Sequence, residues 1–180
     1  MKGIVFTEFL DMVEEKFSEK ILEEIIEQSD LSTDGAYTSI GTYDHHELVQ
    51  LVVALSQQSQ IPVPTLVHTF GEHLFGRFAT LFPRFFEGVE STFAFLEQID
   101  QVVHVEVLKL YPEAELPKFE CEITEPGKMQ IVYSSPRSFE DLAEGLMAGC
   151  AKHYGEQMEI KREDISNQER KATRFFLTMT

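Results

Sequence analysis

Two groups of residues in this chain could do chemistry. The first is His104, set within Val102-Val103-His104-Val105. A neutral imidazole between valines needs a partner for its ring nitrogens, which a backbone carbonyl, a water or a metal ion supplies. Taken alone, the pattern leaves two outcomes open: a satisfied or half-exposed histidine, the commoner one, and a metal ligand. The second group is Tyr133-Ser134-Ser135-Pro136-Arg137. Alternate residues of extended backbone share a face, so Tyr133, Ser135 and Arg137 would turn two hydroxyls and a guanidinium to one side. Such a face suits an anion, above all a carboxylate, which arginine grips through two parallel bonds. The plainer alternative pairs Arg137 with one of the 31 acidic residues, leaves Ser135 in a turn and puts Tyr133 in the core.

The other histidines carry weaker signals. His45 and His46 adjoin a helix start, while His68, His73 and His153 fall on amphipathic helices without cysteine or carboxylate partners in a ligand pattern. Surface positions are expected for all five. His68 and Glu72 are one helical turn apart, which is weak evidence for a metal. No glycine-rich phosphate loop is present, and no serine or cysteine nucleophile stands beside a designated base, so a hydrolytic or phosphoryl-transfer enzyme finds no support. Cys121 and Cys150 are the only cysteines and have no metal spacing; free thiols in a reducing compartment fit them best.

The elements that must position these residues are legible in the periodicity. Phe6, Phe9, Leu10, Val13 and Phe17 recur at helical spacing, and Ile21, Leu22, Ile25 and Ile26 continue the pattern in a segment that begins near Ser18. A polar stretch follows at about 30–42. Asp44 with Glu47 forms a capping-box pattern ahead of a helix to about Ser59. Pro62 and Pro64 break the chain and open the next helix, whose buried stripe is Leu66, Val67, Phe70, Leu74 and Phe78. A helix over about 91–111 carries His104. From Leu116 the pattern alternates: Phe119, Cys121 and Ile123 point one way, and 129–134 alternates likewise after the turn Glu125-Pro126-Gly127-Lys128. Ser138 is placed to cap a helix carrying Phe139, Leu142, Leu146, Met147 and Cys150, and a second hairpin spans about 157–162 and 172–179. The expected fold class is α+β with a four-stranded antiparallel sheet.

Composition narrows the partners. The chain of 180 residues suits one domain with a full core, and 43% hydrophobic against 26% charged residues is ordinary for a globular protein. A formal net charge of -16 repels phosphates and anionic lipid, so neither nucleic acid nor a membrane is an expected partner. The first residues meet acidic side chains at once and no run is long enough to span a membrane, so a cytoplasmic location is expected.

Together, His104 and the Y-x-S-x-R motif 29 positions later resemble the H-NOX family of haem sensors. The resemblance extends over nearly the full chain: Met1-Lys2-Gly3, Phe70-Gly71, Phe78, the histidine helix, Leu116-Pro117, the motif strand and Ala143-Glu144-Gly145-Leu146 fall in the family's order. It implies a single domain over 1–180, with a helical subregion at about 1–62 packed on an α+β subregion at about 63–180 and haem b buried between them. It implies that His104 binds ferrous iron on the proximal side and that Tyr133, Ser135 and Arg137 hold the propionates. Val5 (or Ile4), Phe78, Pro117 and Leu146 would press on the macrocycle.

Oxygen-binding relatives place a distal tyrosine five positions beyond the motif arginine, where this chain has Leu142; the flanking distal positions read Phe9 and Leu74. Bound dioxygen needs a hydrogen bond in a dry pocket, and nitric oxide and carbon monoxide need one much less. The expectation is therefore NO and CO binding with little stable O2 complex, and no turnover. NO would weaken or break the bond between iron and His104, switching a separate partner. By resemblance that partner is a histidine kinase or a cyclic-di-GMP synthase or phosphodiesterase, in a bacterium. The cysteine-rich zinc site of some relatives has no counterpart after Cys150, so no zinc is expected. Two other readings compete: a haem enzyme such as a peroxidase or NO-consuming oxygenase, which lacks a distal acid or base, and an iron-free module for an apolar carboxylate, which leaves His104 idle.

Overall fold

The computed structural model describes residues 1–180. Helices α1 (Gly3–Lys16) and α2 (Glu19–Glu27) form as the apolar spacing predicts, with Ser18 accepting from the Ile21 amide at 3.3 Å to start α2. Helix α3 (His45–Ser59) is capped by Asp44, whose carboxylate accepts from the His46 amide at 3.0 Å. The reciprocal half of the expected capping box is absent. Glu47 turns inward and accepts from Ser32 and Tyr37 hydroxyls, each at 2.6 Å, so a buried carboxylate fastens the 30–42 stretch to α3. That stretch, polar in sequence, is therefore packed rather than free: Leu31 is buried and Tyr37 stacks on Phe6 at 4.5 Å between ring centroids.

Helix α4 (Val63–Leu81) begins at the prolines as expected. The single helix read over about 91–111 is three pieces: α5 (Thr92–Glu97), a π-helical turn (Ile99–Val103) and α6 (His104–Leu110). Strands β1 (Lys118–Glu125) and β2 (Lys128–Ser134) form the first hairpin, with Gly127 at φ 75° supplying the left-handed turn residue. Helix α7 (Glu140–His153) follows, without the expected Ser138 cap. Ser138 is itself left-handed, at φ 50°, and Glu140 and Asp141 supply the negative charge that suits a helix start. Strands β3 (Met158–Asp164) and β4 (Ala172–Met179) complete an antiparallel sheet of order β1-β2-β4-β3, and the fold is α+β as expected.

Two apolar clusters organise the molecule. One joins α1, α2 and α3 with Leu66, Phe70 and Leu74 of α4. The other joins Phe75, α5, α7 and one face of the sheet, where Met129, Ile131, Tyr133, Phe175 and Leu177 are buried. Leu146 packs against both. Ile123, read as sharing a side with Phe119 and Cys121, is exposed, whereas those two pack against the second cluster. Helices α4 and α7 meet backbone to backbone: a Cβ on Gly145 would stand 2.1 Å from the His68 carbonyl oxygen, and one on Gly71 2.6 Å from that of Leu142. No helix is long and apolar enough to cross a membrane.

Candidate functional site

His104 stands at the junction of the π-helical turn and α6. The wide turn bonds the His104 amide to the Ile99 carbonyl, five residues back, a local bulge of the kind that concentrates at functional positions. Its imidazole is 16% exposed, and Nδ1 lies 2.8 Å from Asp100 Oδ1. The second Asp100 oxygen accepts from the Phe119 amide at 2.9 Å, so one carboxylate fixes both the ring and the first residues of β1. Burial lowers the His104 pKa below its usual 6.5 against the opposing pull of Asp100, which favours a neutral ring near pH 7. With the proton on Nδ1 facing the carboxylate, Nε2 keeps its lone pair, the arrangement that orients a metal-binding histidine.

The segment around His104 is only partly covered: Ile99 and Val103 pack against the second cluster while their neighbours face outward. None of the residues from Ile99 to Leu110 is buried. Val102, Val105, Leu108 and Leu110 are 40–63% exposed, and Leu81, at the end of α4, 44%. Leaving such side chains in water forgoes about 25 cal/mol for each Å² of apolar surface.

The Y-x-S-x-R motif lies one aromatic ring away. His104 and Phe119 have centroids 5.9 Å apart, and Phe119 and Tyr133 5.4 Å. Tyr133 and Ser135 are buried and their hydroxyls are mutual neighbours, while burial raises the Tyr133 pKa and keeps it a donor. Ser135 Oγ also accepts from the Arg137 amide at 3.2 Å. The guanidinium does not join them: it pairs with the carboxylate of Glu115 and donates to that residue's carbonyl at 3.3 Å. The plainer sequence alternative for Arg137 thus holds here, against a Glu115 side chain that is 72% exposed. A polar cleft of about 520 Å³ opens beside Tyr133 and Ser135, lined also by Ser138, Arg162, Lys171 and Thr173.

Six of the apolar residues singled out from sequence come together. Phe9 and Leu74 are buried in the first cluster, and Val5, Phe78, Leu142 and Leu146 are half-buried against it. None carries a hydrogen-bond donor in its side chain. Pro117 belongs to neither cluster and sits directly ahead of β1.

The sequence reading missed Asp100, although a carboxylate four positions before a helical histidine is a legible signal. It also missed a polar group between α1 and α4. Glu8, 5% exposed, accepts from Arg77 Nε at 2.6 Å, and His73 Nε2 stands 3.9 Å from the same carboxylate with no hydrogen-bond partner. His73 was expected at the surface, but its side chain is only 13% exposed, because the α4 face that carries it packs against α1.

Comparison with known proteins places this geometry. The haem-NO-binding family model matches residues 2–162. An unliganded Fe(II) H-NOX protein from K. algicida, the A71G mutant, is 37% identical with a TM-score of 0.91, covering 100% of this chain and 97% of that one. An H-NOX from Shewanella woodyi, solved with IWP-051 in the Fe(II)CO state, is 39% identical with a TM-score of 0.85, covering 100% and 95%. One from S. oneidensis in the Fe(II)NO state is 27% identical with a TM-score of 0.89, covering 100% and 99%. No curated protein matches the chain. The chain belongs to the haem-NO-binding family, the H-NOX haem-binding gas-sensor domains.

Proposed function

We propose that this protein is a haem-based nitric oxide sensor in which His104 is the proximal iron ligand. The observation that carries the reading is the His104 environment: Nδ1 held by Asp100, Nε2 left with its lone pair, and a flanking segment whose Val102, Val105, Leu108 and Leu110 stay 40–63% exposed. This donor set and this exposed apolar surface fit a flat, largely apolar cofactor carrying iron. When bound, haem b would supply a ferrous iron able to take NO or CO.

The chain's own residues then have assignable parts. Tyr133 and Ser135 donate to a propionate, and Arg137 takes one by exchanging the exposed Glu115 carboxylate for it. Val5, Phe78, Pro117 and Leu146 pack on the macrocycle. Phe9, Leu74 and Leu142 leave the distal side without a donor, which disfavours O2 relative to NO and CO and withholds the acid or base an oxidative enzyme needs.

His104 carries the signal. Its Nε2 would hold the iron, and α6 with the Asp100 bridge to β1 is the element whose arrangement that bond would fix or release. The output is a separate signalling protein, a histidine kinase or a cyclic-di-GMP synthase or phosphodiesterase. A cytoplasmic location goes with this reading, since a reducing setting would keep Cys121 and Cys150 as free thiols.

The test is the absorption spectrum of the ferrous protein, wild type and His104→Ala, under argon and then with NO, CO and air. The expected result is a histidine-ligated five-coordinate spectrum that responds to NO and CO, forms no lasting oxy complex, and is lost or altered in the variant. A spectrum indifferent to His104 would overturn the assignment.

A further inference from the structure

We infer that Asp44, His45 and His46 form a surface site for a divalent transition-metal ion of the zinc and nickel type, separate from the His104 region. The three side chains offer one carboxylate and two imidazoles whose ligand atoms all lie within 4.8 Å of one another. The contacts are tighter at the centre: Asp44 Oδ1 is 2.8 Å from His46 Nδ1 and 3.3 Å from His45 Nδ1. Ligand atoms bound at the usual 2.0–2.2 Å around one such ion stand roughly 3.0–3.5 Å apart, so the two pairs with Asp44 are already near that spacing, and rotation of the rings must draw in the two imidazoles, whose ligand atoms lie within 4.8 Å. Two imidazoles and a carboxylate are also the ligands that borderline divalent ions select over calcium or magnesium, which take oxygen sets.

The surroundings hold the triad in place. Asp44 caps α3 and is fixed by the His46 amide at 3.0 Å. The preceding residue, Tyr43, is locked to the chain start: its amide donates to the Met1 carbonyl at 2.9 Å and its carbonyl accepts from the Met1 amine at 2.6 Å. His45 packs edge-on against Phe139, with centroids 5.9 Å apart, and the two imidazoles face each other at 4.1 Å. Arg137 lies near enough to His45 to act on its charge. The same Arg137 and the positive end of α3 oppose a cation, so the affinity belongs in the micromolar range. The remaining coordination positions are filled by water, since His46 and Asp44 are exposed.

The experiment titrates Zn2+ into the haem-loaded ferrous CO protein by calorimetry, with the histidine ring signals followed by NMR. One equivalent is expected to bind with micromolar affinity, shifting the His45 and His46 signals while His68 and His153 stay in place. His46→Ala and Asp44→Asn should each weaken binding tenfold or more; asparagine still caps α3, so the fold is kept. The double variant His45→Ala/His46→Ala should abolish stoichiometric binding. Unchanged affinity in these variants, shifts confined to other histidines, or no saturable binding at ten equivalents would overturn the site. None of these results depends on the sensor reading, because the NMR readout is of metal on imidazole.

Discussion

Asp100 is what aims His104. It reaches the ring from one helical turn away and the backbone of β1 at the same time, so removing it loosens the histidine without deleting a ligand. Outer partners of this kind typically change metal affinity tenfold or more. Asp100→Ala should therefore speed haem loss to an apo-globin acceptor roughly tenfold and shift the iron-histidine stretching band, while Asp100→Asn, which keeps a hydrogen-bond acceptor, falls between. Identical haem-loss rates and bands in all three proteins would remove Asp100 from the site. At this scale the sequence drew attention to His104 among valines and to Tyr133 and Ser135, which lie one aromatic ring from it, while Arg137 turns to Glu115. It was least informative about pairing across the chain. Nothing local to Arg137 points to Glu115, and nothing local to His73 says that α1 will bury it beside Glu8, because both contacts arise only when helices pack.

Elements contribute through how closely they approach. The α4–α7 crossing depends on Gly71 and Gly145, where a methyl group would meet backbone oxygen. Alanine is worth about 1 kcal/mol more than glycine in a helix interior, but forcing atoms into a packed contact costs about 1–3 kcal/mol, and here the neighbour is backbone that cannot rotate away. Gly145→Ala should thus lower thermal stability despite its better propensity, as a thermal melt of the haem-loaded protein will show; a rise in melting temperature would mean the helices separate at little cost. The contact between α1 and α4 adds a pH dependence. Burial lowers the His73 pKa from 6.5, outweighing Glu15 and Glu8, with Lys16 and Arg77 adding to the fall. The neutral ring is the form the folded protein holds, so its contribution is complete above pH 6.5 and is lost as pH falls through the lower folded value. The wild type should lose stability relative to His73→Gln between pH 7 and the acid side of that range, measured by denaturant unfolding, and parallel profiles would show His73 to be indifferent. The elements themselves were readable from periodicity, down to the Asp44 cap and both hairpins. The division of 92–110 into helix, π-helical turn and helix was not, since its apolar pattern runs on unbroken while the backbone hydrogen bonding changes.

For the whole molecule, the dominant fact is charge. With 31 acidic residues against 15 basic ones, the formal net charge is -16, and like charges confined to one compact surface repel. Ion pairs run the other way: Lys20 with Glu24, Lys118 with Glu120 and Lys161 with Glu159 are attractive, but they join side chains largely open to water, and such pairs contribute about 0–1 kcal/mol each. Salt screens both effects, with a Debye length of about 10 Å at 0.1 M. The repulsion is spread over the whole surface and extends beyond single contacts, so its relief should prevail. Raising sodium chloride from 20 mM to 300 mM is expected to raise the melting temperature of the haem-loaded protein by several degrees, with most of the change at the low end where the screening length falls fastest. The same field would bear on a signalling partner of the kind proposed. A docking face chosen against this surface gains association rate if it is basic, and that gain disappears with salt. Stopped-flow association with a cognate kinase or cyclic-di-GMP enzyme should slow by tenfold or more over the same range of salt while the protein itself becomes more stable. If stability and association rate instead moved together, the acidic surface would have no steering role.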